Sequence, residues 1–234
     1  MQINFVPSDN LVRDTVPKPC PSSLTLPAWY TSLPTQTDLT AQGVLGGHLK
    51  PNKTVKRCMP FLDALTFGYT QLSWCEMRFS KHNDEMNYEW SDSPVPFMAR
   101  DNTQSMMPIP NDYEQIEFAW LQSWYAIAPK GYSLLITHPL NRHDLPFTCT
   151  SGVVDNTREM FVPFGRIPFF IKKGFTGVIP VGTPLYQIIP FKTDNWQSEQ
   201  TIIPESKLTY LSHRITSQFG GWYRDNLWTR KRFK

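Results

Sequence analysis

Proline is the residue that most constrains the fold of this chain. There are 21 prolines among 234 residues, about 9% against a usual share of about 5%. A proline inside a helix removes a hydrogen bond and clashes with the preceding turn, and it also disfavours the helical conformation of the residue before it. Because only 12 residues are glycine, the proline excess indicates an ordered protein with many fixed turns and few long helices.

Composition and length favour a folded, β-rich domain. Hydrophobic residues make up 40% of the chain and charged residues 18%, the opposite of the balance found in disordered proteins. The chain is long enough to bury a core. No run approaches 18 consecutive apolar residues, and the first residues lack the basic and apolar regions of a signal peptide. We therefore expect a protein that is neither secreted nor held in a membrane.

Local patterns predict two helices. Residues 58–67 have Pro60 in the first turn and Gly68 just after the end, both favourable positions for these residues. Residues 205–219 place Leu208, Leu211, Ile215 and Phe219 at helical spacing.

Strand signals cover most of the remainder. Residues 69–74 alternate like a strand, residues 78–90 are typical of a hairpin, and 93–112 is expected to be a loop. The two apolar runs within 116–138 flank Pro129-Lys130-Gly131, which favours a hairpin, with a helix over 114–126 as the alternative for the first run.

Residues 147–191 contain short apolar runs separated by glycines and prolines. This spacing is typical of an all-β barrel or sandwich, and it predicts that Gly152, Gly174 and Gly182 lie at turns. We divide the chain into an extended proline-rich arm (1–53), a main β domain (54–204) and a helical, basic and aromatic extension (205–234).

The last thirteen residues combine cations with large apolar side chains. Five cations face one acid, Asp225, so this tail has a formal charge of +4 although the whole chain has only +3. Such a segment needs an apolar groove beside a wet, acidic rim, on its own chain or on a neighbour. We expect it to contact other subunits, and it alone offers nucleic acid a basic surface. The residues that we expect to interact are Trp222, Trp228, Arg230, Lys231, Arg232 and Phe233.

Motifs over most of the chain resemble a family found in tailed phages and some bacteria that has no established activity. The motifs are Leu26-Pro27-Ala28-Trp29-Tyr30, the run from Val55 to Ala64, and His138-Pro139-Leu140-Asn141-Arg142. This resemblance implies a phage-encoded structural protein of a particle or assembly, located in the virion or the host cytoplasm.

A shorter stretch resembles the β-clip core of trimeric dUTPases and dCTP deaminases. It comprises Gly152-Val153-Val154-Asp155 and Gly182-Thr183-Pro184-Leu185-Tyr186-Gln187. The resemblance implies that Asp155 and Gln187, with Arg158 nearby, meet a nucleotide. However, Thr157-Arg158-Glu159 replaces the expected Tyr-Arg-Gly, and the phosphate motif Gly-Arg-Ser-Ser and a glycine-rich C-terminal lid are missing. The same Asp and Gln could instead satisfy backbone groups of a turn and a strand.

Other chemistry has weaker support. His138, His143 and Asp144 could offer ligands to iron or zinc, as in a barrel oxygenase, but an adjacent His and Asp on a strand point to opposite faces. There is no CxxC pair, nucleophile elbow or phosphate-binding loop. The four cysteines are therefore expected to be mostly buried free thiols.

The sequence thus predicts a mainly β fold, a β-clip or jelly-roll-like barrel or sandwich, with one central and one C-terminal helix. The favoured function is a non-enzymatic structural or interaction protein, binding no cofactor or metal and forming a homo-oligomer or contacting other virion proteins. A nucleotide-binding relative of dUTPases is the first alternative, and a metal-dependent oxygenase the second.

Overall fold

The computed structural model shows a mainly β protein in which antiparallel sheets enclose an aromatic core. It describes residues 1–37, 53–83, 85–100, 105–157, 160–161, 163, 165–217 and 221–234. The helices within these residues are α1 Asn10–Thr15, α2 Ala28–Ser32, α3 Met59–Thr66, α4 Glu205–Ser217 and α5 Trp222–Asn226. The part of the chain that is described contains no helix with the length and apolar character needed to cross a membrane.

The strands are short, as the proline spacing predicts. They are β1 Asn4–Pro7, β2 Cys20–Pro21, β3 Tyr69–Leu72, β4 Met77–His82, β5 Glu85–Trp90, β6 Phe97–Arg100, β7 Glu117–Leu121, β8 Trp124–Ile127, β9 Tyr132–Thr137, β10 Phe147–Cys149, β11 Gly152–Val154, β12 Arg166–Ile171, β13 Gly177–Ile179 and β14 Pro184–Lys192.

Four antiparallel sheets result from these strands. The largest has the order β11-β9-β14-β3-β2, and a second has the order β10-β12-β7-β6. A third sheet, β13-β4-β5, and the pair β1-β8 complete the body. Neighbouring strands in the two larger sheets are mostly distant in sequence, so the fold depends on long-range pairing.

The core lies between the sheets and is rich in aromatic rings. Trp120 on β7 and Phe169 on β12 stack face to face with ring centroids 3.7 Å apart. Phe97 packs edge-on against both rings. From the five-stranded sheet, Leu134 and Ile188 enter the same cluster and are fully buried. Each such side chain stabilises the fold by about 1.5–3 kcal/mol relative to an exposed position.

Gly68 ends the central helix and brings β3 against β14. Its φ is +74°, and a Cβ at this position would lie 2.2 Å from the carbonyl oxygen of Ile188. Glycine is therefore required both by the left-handed conformation and by the close approach of the two backbones. Because Gly68 immediately precedes β3, it fixes where the helix stops and the sheet begins.

Several predicted elements are confirmed. The predicted helix at 58–67 is α3, with Pro60 in its first turn. The predicted hairpin is β4 and β5, joined through Asn83. The helix predicted at 205–219 is α4 as far as Ser217, and residues 218–220 lie outside the described residues.

The predicted hairpin within 116–138 is wrong in its pairing. Both runs are strands, so the alternative helix over 114–126 does not form, but β8 pairs with β1 and β9 pairs with β11 and β14. The Pro-X-Gly turn does not pair the strands on its two sides, because each finds a partner elsewhere.

Two smaller corrections are that β6 forms inside the predicted loop 93–112 and that Gly152 begins strand β11 rather than lying at a turn. Gly174 and Gly182 do occupy turns, with φ near +80°.

The first 37 residues are built into this body. Strand β1 pairs with β8, and β2 pairs with β3 at the edge of the largest sheet. Val12, Val16 and Tyr30 are buried. This part of the proline-rich segment therefore contributes strands and core residues, whereas residues 38–52 lie outside the described residues.

Candidate functional site

Gln187 is held by the fold rather than presented to a ligand. Its side chain is 1% exposed. The amide oxygen accepts a hydrogen bond from the backbone N–H of Leu140 at 2.8 Å. The amide nitrogen donates to the carbonyl oxygens of Ala64 and Phe67 at the end of α3. Both donor hydrogens are used, so Gln187 connects the central helix and the loop after β9 to strand β14.

Asp155 lies elsewhere on the largest sheet. Its carboxylate accepts a hydrogen bond of 2.6 Å from Ser133, whereas Gln187 pairs with Thr137. Ser133 and Thr137 are four residues apart on β9, which corresponds to about 13 Å along the strand. The structure therefore does not bring the two residues of the β-clip resemblance together, and Arg158 lies outside the described residues.

A cavity of about 510 Å³ adjoins Asp155 between β11 and β12. Its lining includes Ser151, Asn156 and Arg166. Asn156 is committed to the fold, because its side chain donates to the carbonyl oxygen of Ala126. This cavity is a place beside Asp155 that could hold a small molecule.

The polar cluster after β9 is a set of structural contacts. Arg142 forms a bidentate ion pair with Asp144, in which both N–O distances are 2.9 Å. His138 donates from Nε2 to the carbonyl oxygen of Arg142 at 3.2 Å, and burial lowers the pKa of His138. His143 is exposed, and its carbonyl oxygen accepts from Lys172. Among the described residues, no three His, Cys, Asp or Glu side chains converge as metal ligands.

All four cysteines are free thiols, and two of them are buried. Cys75 and Cys149 lie in the core, where burial raises their pKa values to about 11 and about 12 respectively. Cys20 is half-buried and Cys58 is exposed. Thiols with raised pKa values are poor nucleophiles at neutral pH, so the two buried cysteines serve packing.

The C-terminal tail docks on its own chain. The indole N–H of Trp228 donates to Asp63 at 2.9 Å, and the ammonium group of Lys231 lies 2.7 Å from the same carboxylate oxygen. Phe233 packs edge-on against Phe67, with ring centroids 5.0 Å apart. An apolar surface with an acidic rim is what the tail composition requires, and α3 and β3 supply it.

The other predicted tail residues remain more open. Trp222 is half-buried at the start of α5, and Arg230 and Arg232 are exposed. Arg232 and Lys234 lie on the rim of a groove beside Phe233. Trp222, Arg230 and Arg232 therefore take no part in the contact with Asp63 by which Trp228 and Lys231 attach the tail.

This groove, which we call the terminal groove, has a volume of about 650 Å³. Tyr69, Tyr132 and Phe233 are its aromatic lining, and Lys18, Arg232 and Lys234 are its cations. Residues 1–3, Pro129 and Pro190 complete it. None of the described residues that line the groove is Asp or Glu, so it is a partly apolar, aromatic surface with a basic rim.

An exposed acidic stretch begins close to the terminal groove. Residues 193–205, which we call the acidic segment, are all exposed. They include Asp194, Glu199 and Glu205 and no Lys or Arg. Trp196 is 88% exposed and Ile202 is 87% exposed. The segment therefore combines a formal charge of −3 with large apolar side chains that its own chain leaves in solvent.

Sequence reasoning identified the tail but missed the residues that receive it. Asp63 stands in a helix pattern as an ordinary polar position, and its contact with Trp228 spans 165 residues. The acidic segment, however, is visible in the sequence as thirteen residues with three acids, no base and a tryptophan.

Comparisons of the chain with family models, curated proteins and solved structures find no match.

Proposed function

We propose that this chain is a non-enzymatic structural subunit that assembles with copies of itself through the acidic segment. The observation behind the proposal is that every residue from 191 to 210 is exposed. Large apolar side chains are spread along this stretch, including Trp196, Ile202 and Leu208. A long exposed stretch that presents several large apolar side chains to solvent suits an interaction surface.

Burial of these side chains would supply the free energy of association. A tryptophan buries about 150–250 Å² when it packs, and each Å² of apolar surface is worth about 25 cal/mol. Complete burial of Trp196 alone would thus contribute about 4–6 kcal/mol before the costs of association are subtracted. The exposed isoleucine and leucine side chains would add to this gain.

The root of the acidic segment is fixed to the body, which limits the entropy lost on docking. The backbone N–H of Thr193 donates to the carbonyl oxygen of Gly131 at 2.9 Å. The Thr193 hydroxyl lies 2.6 Å from that of Ser133, which itself donates to Asp155. Asp155 therefore helps to hold the point from which the segment leaves the sheet.

The proposal is tested by the molar mass of the protein in solution. We expect the wild-type chain to form oligomers in light scattering after size exclusion, and Ile202→Ser to shift the population toward monomer. Leu24→Ser is the matched control, because Leu24 is also an exposed aliphatic residue, at 74%, and it should leave assembly unchanged. A wild-type chain that remains monomeric at high concentration would overturn the proposal.

A particle is the proposed setting, in the virion or in the cytoplasm of the host before assembly. Support comes from the resemblance of the Leu26–Tyr30, Val55–Ala64 and His138–Arg142 motifs to a tailed-phage family. Mass spectrometry of purified particles from the phage or cell that encodes the chain tests this setting. If the chain is present in the lysate but missing from the purified particles, the proposed particle setting is wrong.

Nucleotide binding is a second candidate, favoured by the 510 Å³ cavity beside Asp155. A thermal-shift titration with dUTP and dCTP tests it, with Asp155→Asn as the paired variant. Stabilisation of the wild type that Asp155→Asn abolishes would support nucleotide binding, and no shift with either nucleotide would remove the candidate. Gln187 is not expected to contribute, since both ends of its amide are occupied.

A further inference from the structure

We infer that the terminal groove is the docking site for the acidic segment of a second copy of this chain, with Trp196 packed among Tyr69, Tyr132 and Phe233. This inference rests on the proposed function and identifies which surface of the neighbour receives the segment.

The groove offers both kinds of contact that such a segment needs. Phe233 is held edge-on between Phe67 and Tyr69, at centroid distances of 5.0 and 5.7 Å. The hydroxyl group of Tyr69 donates to the main-chain oxygen of Lys234. The aromatic lining is therefore ordered before any partner binds, which reduces the entropic cost of docking.

Charge distinguishes this groove as a partner for the segment. Lys18, Arg232 and Lys234 place three cationic side chains around it, and the acidic segment has a formal charge of −3 without any cation. Asp194 is paired with Lys192 of its own chain, but both side chains are more than half exposed, so that ion pair is weak and easily exchanged. An apolar surface with a basic rim thus matches an apolar segment with acidic neighbours.

The position of the segment permits reciprocal exchange between two copies. The segment leaves the sheet at Thr193, bonded to Gly131, and Tyr132 and Pro190 beside this point also line the groove. The root of the donor segment and the acceptor groove therefore lie side by side on one chain. A twofold axis close to this site would place each segment on the groove of its partner. Thirteen extended residues reach up to about 45 Å, enough to cross to a neighbouring molecule.

A pair of charge-reversed proteins tests the inference. One protein has Lys18→Glu with Arg232→Glu in the groove, and the other has Asp194→Lys with Glu199→Lys in the segment. We expect each protein alone to assemble at least about tenfold more weakly than the wild type, since like charges then meet. An equimolar mixture should regain assembly, because each groove then meets a segment of opposite charge. Failure of the mixture to assemble better than either protein alone would overturn the inference.

Crosslinking identifies the occupant of the groove. A photoreactive phenylalanine at position 196 is activated in a mixture of ¹⁵N-labelled and unlabelled protein, and crosslinked peptides are sequenced. Crosslinks from a labelled segment to Tyr69 or Tyr132 of an unlabelled chain support docking between copies. Crosslinks confined to one isotope would show that the segment folds back onto its own groove, and would overturn the inference.

The two proposals can fail separately. If Trp196→Ala disperses the oligomer while both charge-reversed proteins assemble like the wild type, the segment drives assembly but docks elsewhere, and the groove inference alone is wrong. If the wild-type protein is monomeric at every concentration, the proposed function is wrong as well. Circular dichroism of each variant separates loss of assembly from loss of folding.

Discussion

Gln187 shows how one buried side chain can connect three parts of a fold. Its amide bonds to the backbone of Leu140, Ala64 and Phe67, and the side chain itself is 1% exposed. In Gln187→Leu, a similar volume is kept but three partly buried backbone groups lose their partner, at about 1 kcal/mol or more for each group. We expect the free energy of unfolding in urea to fall by about 3 kcal/mol or more.

Gln115→Leu is the control for this experiment, because Gln115 is exposed and surface substitutions change stability by about 0.5 kcal/mol or less. Equal urea midpoints for Gln187→Leu and the wild type would show that Gln187 is not structural, and would restore it as a ligand candidate.

Glu114 gives the fold a dependence on acid. Burial raises the pKa of Glu114, but the ammonium group of Lys81 and the backbone N–H of Gly174 lower it more, so that the pKa lies below its ordinary value of 4.5. The carboxylate therefore stabilises the folded state above pH 4.5, and this contribution is lost as the pH falls through the lowered pKa.

We expect Glu114→Gln to be less stable than the wild type near neutral pH and the difference to shrink on acidification below 4.5. Urea unfolding at a series of pH values measures it, with Glu85→Gln on the exposed face of β5 as control. A stability difference that stays constant from neutral to strongly acidic pH would contradict the assignment.

Removal of the docked C-terminal tail should measurably lower the stability of the fold. Asp63 receives Trp228 and Lys231, and Phe233 covers Phe67. A chain that ends at Gly221 loses the hydrogen bonds of Trp228 and Lys231 to Asp63 and two aromatic contacts of Phe233. Because the Lys231 pair is partly exposed, these contacts together are worth about 2 kcal/mol. For a protein of this size that corresponds to a melting temperature lower by about 4–8 °C.

Scanning calorimetry at low protein concentration measures this effect on the folded chain itself. Arg230→Ala is the control, since the side chain is exposed. An unchanged melting temperature after truncation would mean that the tail contacts contribute nothing to the stability of the body.

Elements were predictable from the sequence where local signals decide them. Pro60 and Gly68 mark the ends of α3, and the turn around Asn83 joins β4 to β5, because helix ends and tight turns depend on neighbouring residues. The partner of β8 was not predictable, because β1 lies more than 100 residues earlier. The composition of the tail predicts that it needs an acidic, apolar surface. That Asp63 provides this surface, and that the amide of Gln187 is already hydrogen-bonded, depends on contacts between residues far apart in sequence.

At the scale of the whole molecule, assembly through exposed apolar and charged surfaces makes stability depend on concentration and salt. Subunit association stabilises the folded state by mass action, so the melting temperature of the wild type should rise with protein concentration. In Trp196→Ala the rise should be absent. Because opposite charges attract across the proposed contact, assembly should also weaken in 1 M salt, where the screening length is about 3 Å.

Differential scanning fluorimetry over a wide range of concentrations checks the first expectation, and sedimentation at low and high salt checks the second. Assembly that strengthens with salt would show that apolar contacts outweigh the ionic ones, and would contradict the charge argument.

The close approach at Gly68 has a consequence for how relatives of this chain could be recognised. Surface positions can drift freely over evolutionary time, but no side chain can enter a space where a Cβ would meet the carbonyl oxygen of Ile188 at 2.2 Å. A descendant that keeps this backbone geometry must therefore keep a glycine directly before the third strand. Gln187 lies on β14, the central strand of the largest sheet. A glycine before β3 together with an amide side chain at this position is a two-residue pattern by which a divergent homologue could be identified after its overall sequence identity has fallen below detection.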